Sequence, residues 1–333
     1  MRVAVLGATG AVGRTMLRVL EERALPVEEL VPLASERSAG TSLVWREREW
    51  AVQSPRPGVF AECDLALFSA GAALSREWAP RAAAEGAVVV DNSSAWRMDD
   101  QVPLVVPEVN GAAVHERPKG IVANPNCSTI QMVVVLEAIR RAAGLARVLT
   151  TTFQSVSGAG QKGVEALRAE LAGGEAAASP FVAPIAGNVI PFIGPRGANG
   201  WNEEEEKMRA ETRKILAAPA LAVSATCARV PVEIGHALAL MVETRRPLDV
   251  EAAREALSAM PGVMVHGDDN DPHPLAVAGS DEVHVGHVRV DPDRPDVLHL
   301  WVVADNLRKG AATNAVQIAE LLGQPARARG TGV

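Results

Sequence analysis

Tyrosine is absent from these 333 residues, aromatic residues amount to 3%, and lysine is scarce beside arginine. These gaps fit a GC-rich or heat-adapted background and point to no function by themselves. Cysteine is nearly as sparse. Cys63, Cys127 and Cys227 are odd in number and far apart, which excludes a disulfide framework and a zinc site and fits a reducing cytosol. No run of about 18 apolar residues is present to span a bilayer, and the apolar stretch at residues 3–6 is too short for a signal peptide, so a cytoplasmic protein is expected. Excess positive charge is missing too. A net charge of -7 argues against nucleic acid or an anionic membrane as partner and leaves local arginine clusters for small anions. What remains, 48% hydrophobic and 22% charged, is an ordinary globular composition long enough for two cored domains.

The chain is organised around residues 123–129, Ala-Asn-Pro-Asn-Cys-Ser-Thr, which lead into the apolar run 130–136. Pro125 biases Asn124 toward extended geometry, Asn126 is a capping residue, and a buried helix is predicted from there to Arg141. Cys127 then sits at a helix start, where amide donors and the dipole favour thiolate. A buried cysteine packing as a small hydrophobe is the competing interpretation.

Before that stretch, residues 2–6 are predicted as a strand, 7–13 as a glycine turn and 11–23 as a helix. Gly7, Gly10 and Gly13 are spaced GxxGxxG, which suits either a pyrophosphate turn or a tight turn without ligand. A second strand at 29–34 ends in Ser35, Glu36, Arg37 and Ser38; Glu36 favours NAD, whereas Ser35, Arg37 and Ser38 favour NADP, the preferred choice. Strands at 64–69 and 87–90 flank a helix at 74–85, and 102–106 continues the strand pattern. Ser69, Ala70 and Gly71, and later residues 91–94, thus fall at the ligand-binding edge of a parallel sheet. Arg97 beyond them is either an anion ligand or an exposed loop arginine.

After the Cys127 helix, longer strands dominate. A strand at 147–154 ends on Gln154, 155–160 turns, and 161–171 is helical. Residues 179–200, with four prolines and four glycines, suit an ordered loop over a domain or subunit interface. Asn202 caps a helix whose Glu203, Glu204 and Lys207 make ordinary helix-face pairs. In 229–238, strict alternation puts His236 on the apolar side and Arg229 opposite, but Pro231 and Gly235 allow a bend aiming both at one point. His236 is then either a core histidine or a catalytic one. Strands at 221–228, 282–290 and 297–304 and a helix at 249–260 complete an α+β domain whose broad sheet suits subunit pairing. Asp268, Asp269, Asp271 and His273, broken by prolines, read as an exposed loop rather than a metal site. A helix at 311–322 returns to the first domain, and 326–333 is expected to fray.

These stretches together resemble the aspartate-β-semialdehyde dehydrogenase family over nearly the whole chain: GATGAVG at 7–13, LASERSAG at 33–40, DNSSAWRM at 91–98, VVPEVN at 105–110, ANPNCST at 123–129, FQSVSGAG at 153–160, EEEKM at 204–208, RVPVEIGHA at 229–237 and NLRKGAATNAVQIAE at 306–320. The resemblance implies an α/β chain: an N-terminal Rossmann-type domain (1–126 with 311–333) and an α+β catalytic and dimerisation domain (127–310). It implies Cys127 as nucleophile, His236 as acid/base, Gln154 as an orienting residue, Arg229 as carboxylate clamp and Glu204 as partner of the substrate amine. Arg97 and Lys207 would hold inorganic phosphate, with Asn126 beside the substrate. NADP is expected against Gly7, Thr9, Gly10, Ala11, Val12, Ser35, Arg37, Ser38, Ser69, Ala70, Gly71, Ser157, Gly158, Asn306 and Gln317. A homodimer is implied. His287 departs from the arginine usual in the family. An N-acetylglutamyl-phosphate reductase and a nucleotide sensor without turnover are the rival readings.

Overall fold

The computed structural model describes residues 1–323 except residue 177; the expected fraying of 326–333 falls outside the described residues. In chain order the first half contains β1 (Arg2–Leu6), α1 (Ala11–Glu22), β2 (Glu29–Leu33), β3 (Ser42–Trp45), β4 (Arg48–Ala51), β5 (Leu65–Phe68), α2 (Ala72–Ala84), β6 (Val88–Asp91), α3 (Pro107–Asn110) and β7 (Ile121–Ala123). Five of these strands form a wholly parallel sheet ordered β2-β1-β5-β6-β7. Apart from Arg2, Glu29 and Asp91 at strand ends, each is apolar because both faces are covered, the condition for parallel strands.

Two features here depart from expectation. Residues 102–106 make only one bridge, Leu104 with Ala123, and the edge strand is β7. Pro103 and Pro107 lack the amide donors needed to extend that ladder. A hairpin of β3 and β4 also appears where none was predicted. Its turn residues, Arg46 and Glu47, take φ of 48° and 59° without the glycine or asparagine that usually announces such a turn. The Arg46 guanidinium instead donates to the carbonyls of Leu25 and Val27.

The second half contains α4 (Cys127–Ala143), β8 (Leu145–Gln154), α5 (Gln161–Leu171), α6 (Glu203–Ile215), β9 (Ala222–Arg229), β10 (His236–Thr244), α7 (Val250–Ser258), β11 (Val263–Val265), α8 (Pro274–Val277), β12 (Val283–Val290), β13 (Val297–Ala304) and α9 (Thr313–Leu322). Its mixed sheet runs β11-β12-β13-β10-β8-β9. The helix α4 lies in the largest core cluster, which joins Val133, Leu136 and Ile139 to Leu238 and Leu300 of the mixed sheet and to Val89 and Ile121 of the parallel one. Each such buried side chain contributes about 1.5–3 kcal/mol, so the β-branched run Val133–Val135 is helical by tertiary packing rather than propensity. The last helix, α9, packs Ala315, Val316 and Ile318 with Val3, Val5 and Met16. No described helix is long and apolar enough to cross a membrane.

Candidate active site

The loop ending at Asn126 feeds α4 into a cleft of about 380 Å³ between the two sheets. Asn126 caps the helix, its Oδ1 accepting from the amides of Ser128 at 2.9 Å and Thr129 at 3.2 Å. Cys127 follows as the first helical residue and lines the cleft. The expectation of a ready thiolate is corrected by its surroundings. Burial, and then the Glu204 carboxylate, push the Cys127 thiol up to about 12, against the pull of Arg97, Arg229 and the Ser128 amide. The cap engages the Thr129 amide and shares the Ser128 amide with sulfur, and the Asn126 amide donates to Glu211 at 2.7 Å.

Arg229 ends β9 and His236 begins β10, so the bend expected from Pro231 and Gly235 is present, with Gly235 at φ 95°. A Cβ at position 158 would lie 2.8 Å from Arg229 Nη1 and 3.3 Å from His236 Nε2, placing both side chains against one glycine. Arg229 is buried, donates through Nη1 to the Ser155 carbonyl at 2.7 Å, and has no salt-bridge partner among the described residues. His236 is fully buried. Its Nδ1 accepts from the Ser155 amide at 3.1 Å and lies 3.0 Å from Ser155 Oγ, while Nε2 has no partner among the described residues. Burial, then Arg229, lower its pKa to about 3, so the ring is neutral.

Glu204 is the polar hub. Its Oε1 accepts from Asn126 Nδ2 at 2.7 Å and Gln154 Nε2 at 3.2 Å, and its Oε2 lies 3.7 Å from Lys207 Nζ. Glu203 carries the ordinary helix-face pair with Lys207, at 2.8 Å. Arg97 lines the same cleft and is not an exposed loop arginine, being 8% exposed.

The predicted cofactor residues divide. Val12, Gly71, Ser157, Gly158 and Asn306 line the Cys127 cleft. Gly7, Thr9, Gly10, Ser35, Ser69 and Ala70 line a cavity of about 510 Å³ at the carboxyl edge of the parallel sheet. Glu36 lines that cavity as well; Ser38 lines a neighbouring one with Arg14 and Arg18, and Arg37 is exposed. Ala11 opens α1. Gln317 stands apart, its amide engaged by Lys309 and Glu108. Asn306 also holds Ser155 Oγ, Ser157 Oγ and the Gly235 amide on its Oδ1. A dinucleotide fits these surfaces: Gly7 has φ 91° and a Cβ there would meet the Ser69 carbonyl oxygen at 2.8 Å, while one on Gly13 would come within 2.1 Å of the Gly7 oxygen. The glycines thus make a close turn at the start of α1, the geometry that admits a pyrophosphate.

Sequence reasoning missed Glu211, which bonds both Arg97 and the Asn126 amide; the available signal was its seven-residue spacing from Glu204 on one helix. His287, the departure from the resemblance, sits at a break in the β12–β13 register with φ 48°, paired to Asp271 at 3.3 Å and exposed.

The family described as semialdehyde dehydrogenase, NAD binding domain, matches residues 2–117, and that described as semialdehyde dehydrogenase, dimerisation domain, matches 136–309. A protein of Aquifex aeolicus named aspartate-semialdehyde dehydrogenase is 52% identical over 331 residues, covering 96% of this chain and 97% of the relative. The structure of aspartate semialdehyde dehydrogenase II from Vibrio cholerae, complexed with ASA, superposes with a TM-score of 0.93 at 49% identity, over 96% of this chain and 97% of that one. The Candida albicans aspartate semialdehyde dehydrogenase with NADP gives 0.76 at 26% identity, over 96% of this chain and 98% of that one. With both halves matched and half the residues identical along almost the entire length, the chain belongs to the aspartate-semialdehyde dehydrogenase family.

Proposed function

We propose that this enzyme interconverts L-aspartate 4-semialdehyde and 4-phospho-L-aspartate with NADP and inorganic phosphate, through a thioacyl intermediate on Cys127, in the biosynthesis of lysine, threonine, methionine and diaminopimelate. The observation that carries the reading is a buried Arg229 with no salt-bridge partner among the described residues, in one cleft with Cys127. A desolvated, unpaired guanidinium is costly unless a ligand carboxylate completes it, and its planar fork suits both oxygens. Glu204 gives the substrate ammonium a counter-charge, which an acetylated amine would not use; this favours the free amino acid over the N-acetylglutamyl rival.

In the oxidative direction, Cys127 sulfur bonds to the aldehyde carbon and the thiol proton passes to the carbonyl oxygen. With Nδ1 held as an acceptor, His236 presents Nε2–H and donates to that oxygen as charge develops there. When bound, nicotinamide would accept the hydride from the thiohemiacetal carbon; the hydroxyl gives up its proton to water as the C=O of the thioester forms. Phosphate oxygen then attacks the thioester carbon, the carbon–sulfur bond breaks, and Cys127 is released. Arg97 and Lys207 hold the phosphate, and Gln154 fixes Glu204. The parallel sheet with α9 carries the cofactor, and the remainder carries the chemistry. A homodimer through the mixed sheet is supported by the dimerisation family match and by a face bearing Thr150, Thr226, Arg289 and His299. Three free cysteines support a cytoplasmic setting.

The test is NADP reduction by the purified protein with L-aspartate 4-semialdehyde. Absolute dependence on phosphate, and preference for the free-amine over the acetylated aldehyde, are expected. Equal rates without phosphate would refute the proposal.

A further inference from the structure

Glu211 is 1% exposed and faces the start of α4 from α6. Its Oε1 accepts from Arg97 Nη1 at 3.1 Å, and its Oε2 accepts from the amide of Asn126 at 2.7 Å. One carboxylate therefore grips both the residue that caps the Cys127 helix and the arginine assigned to phosphate. Arg97 is held on two further sides, by Nε to the Asn124 carbonyl and Nη2 to the Asn92 carbonyl, each at 3.0 Å. Three of its five N–H groups are spent on the protein, and two remain for a ligand in the cleft that it lines. The same helix secures the segment after Arg97, Lys214 Nζ donating to the carbonyls of Arg97 at 2.8 Å, Asp99 at 2.8 Å and Val102 at 3.0 Å.

A buried carboxylate is costly, and a purely structural brace for Arg97 is already provided by two backbone carbonyls. What Glu211 adds is the relation between two places: the direction of the free Arg97 N–H groups and the position of the Pro125–Asn126 peptide that leads into Cys127. We propose that Glu211 is a positioning residue for the phosphate step. It acts through Arg97, aiming its unspent donors at the phosphate oxygens, and it ties that aim to the cap residue Asn126 immediately before the residue that bears the thioester sulfur. This rests on the reading of Arg97 as a phosphate ligand given above. Glutamine cannot replace it. Its single carbonyl oxygen can accept from Arg97 or from Asn126, and its NH₂ then confronts the other donor.

The experiment is steady-state kinetics of the full-length enzyme with each substrate varied in turn. For Glu211→Gln, KM for inorganic phosphate is expected to rise about tenfold or more, the worth of one charged hydrogen bond, while KM for the semialdehyde and for NADP stays within about twofold. Glu211→Asp keeps the charge but shortens the reach; the same selective rise is expected, and it carries the test if the glutamine variant does not fold. In combination with Arg97→Lys, the Glu211 substitution should add little further loss in phosphate KM, since both act on one contact. An unchanged phosphate KM, equal rises in all three constants, or fully additive losses would overturn the proposal. A wild-type enzyme that needs no phosphate would instead overturn the reading of the reaction, so the two failures are distinct.

Discussion

The amide of Ser155 donates to Nδ1 of His236 at 3.1 Å, so the neutral ring carries its hydrogen on Nε2. Ser155 Oγ, also 3.0 Å from Nδ1, is bonded in turn to Asn306 Oδ1 at 3.0 Å. The ring is thereby set in one tautomer by groups contributed from β10, the loop after β8 and the segment after β13.

That arrangement predicts how stability depends on pH. The folded pKa of His236 is about 3, below its ordinary 6.5, so between these values the unfolded chain binds the proton and the folded one does not. The contribution is complete above pH 6.5 and is lost as pH falls toward 3. Urea midpoints of the wild type should decline over this window more steeply than those of His236→Gln. Parallel slopes would mean that the ring is solvated. The same variant should lose about 10²–10⁴ in kcat.

The raised thiol predicts slow labelling. Alkylation of Cys127 in the free enzyme should climb with pH without levelling near about 8.5, the ordinary thiol value. Removing the Glu204 charge in Glu204→Gln should lower the thiol pKa and raise the labelling rate at fixed pH by about three- to tenfold. A plateau near neutrality in the wild type would contradict the raised thiol. Cys127→Ser should abolish turnover while NADP binding survives, as measured by fluorescence titration.

Gly158 lies against both Arg229 and His236. Gly158→Ala should displace the two together, with kcat/KM for the semialdehyde falling about 10²-fold. Wild-type kinetics in this variant would show that neither side chain depends on the close approach.

Lys309 is buried with Glu108, its Nζ 2.8 Å from both carboxylate oxygens and also bonded to Asn314 and Gln317. Lys309→Met leaves Glu108 buried and unpaired and should cost about 3–5 kcal/mol in chemical denaturation. Adding Glu108→Gln should recover much of that loss. A single variant as stable as wild type would mean that the pair is hydrated.

Much of the site was legible because local chemistry dictated it. Asn126 had to cap if a helix began at Cys127, and Asn202 likewise headed α6 with Glu205 as its reciprocal partner. Gly7 and Gly13 announced a turn that no side chain fits. The pair Pro231 and Gly235 marked the break between β9 and β10 that brings Arg229 to His236.

Other outcomes depended on what the chain folds against. The segment 102–106 makes a single bridge and β7 takes the edge because backbone pairing is settled by neighbours that pattern does not name. Gln317 went to a buried lysine, and Glu211 joined Arg97 across 114 positions of sequence. The Cys127 thiol is the sharpest case. Sequence by itself determined that a cysteine opens a capped helix, and helix electrostatics alone favour the thiolate. Only tertiary structure placed Glu204 beside it and packed protein around it at the wall of the cleft, and that packing with a nearby carboxylate outweighs a partial helix charge whose donors the cap shares.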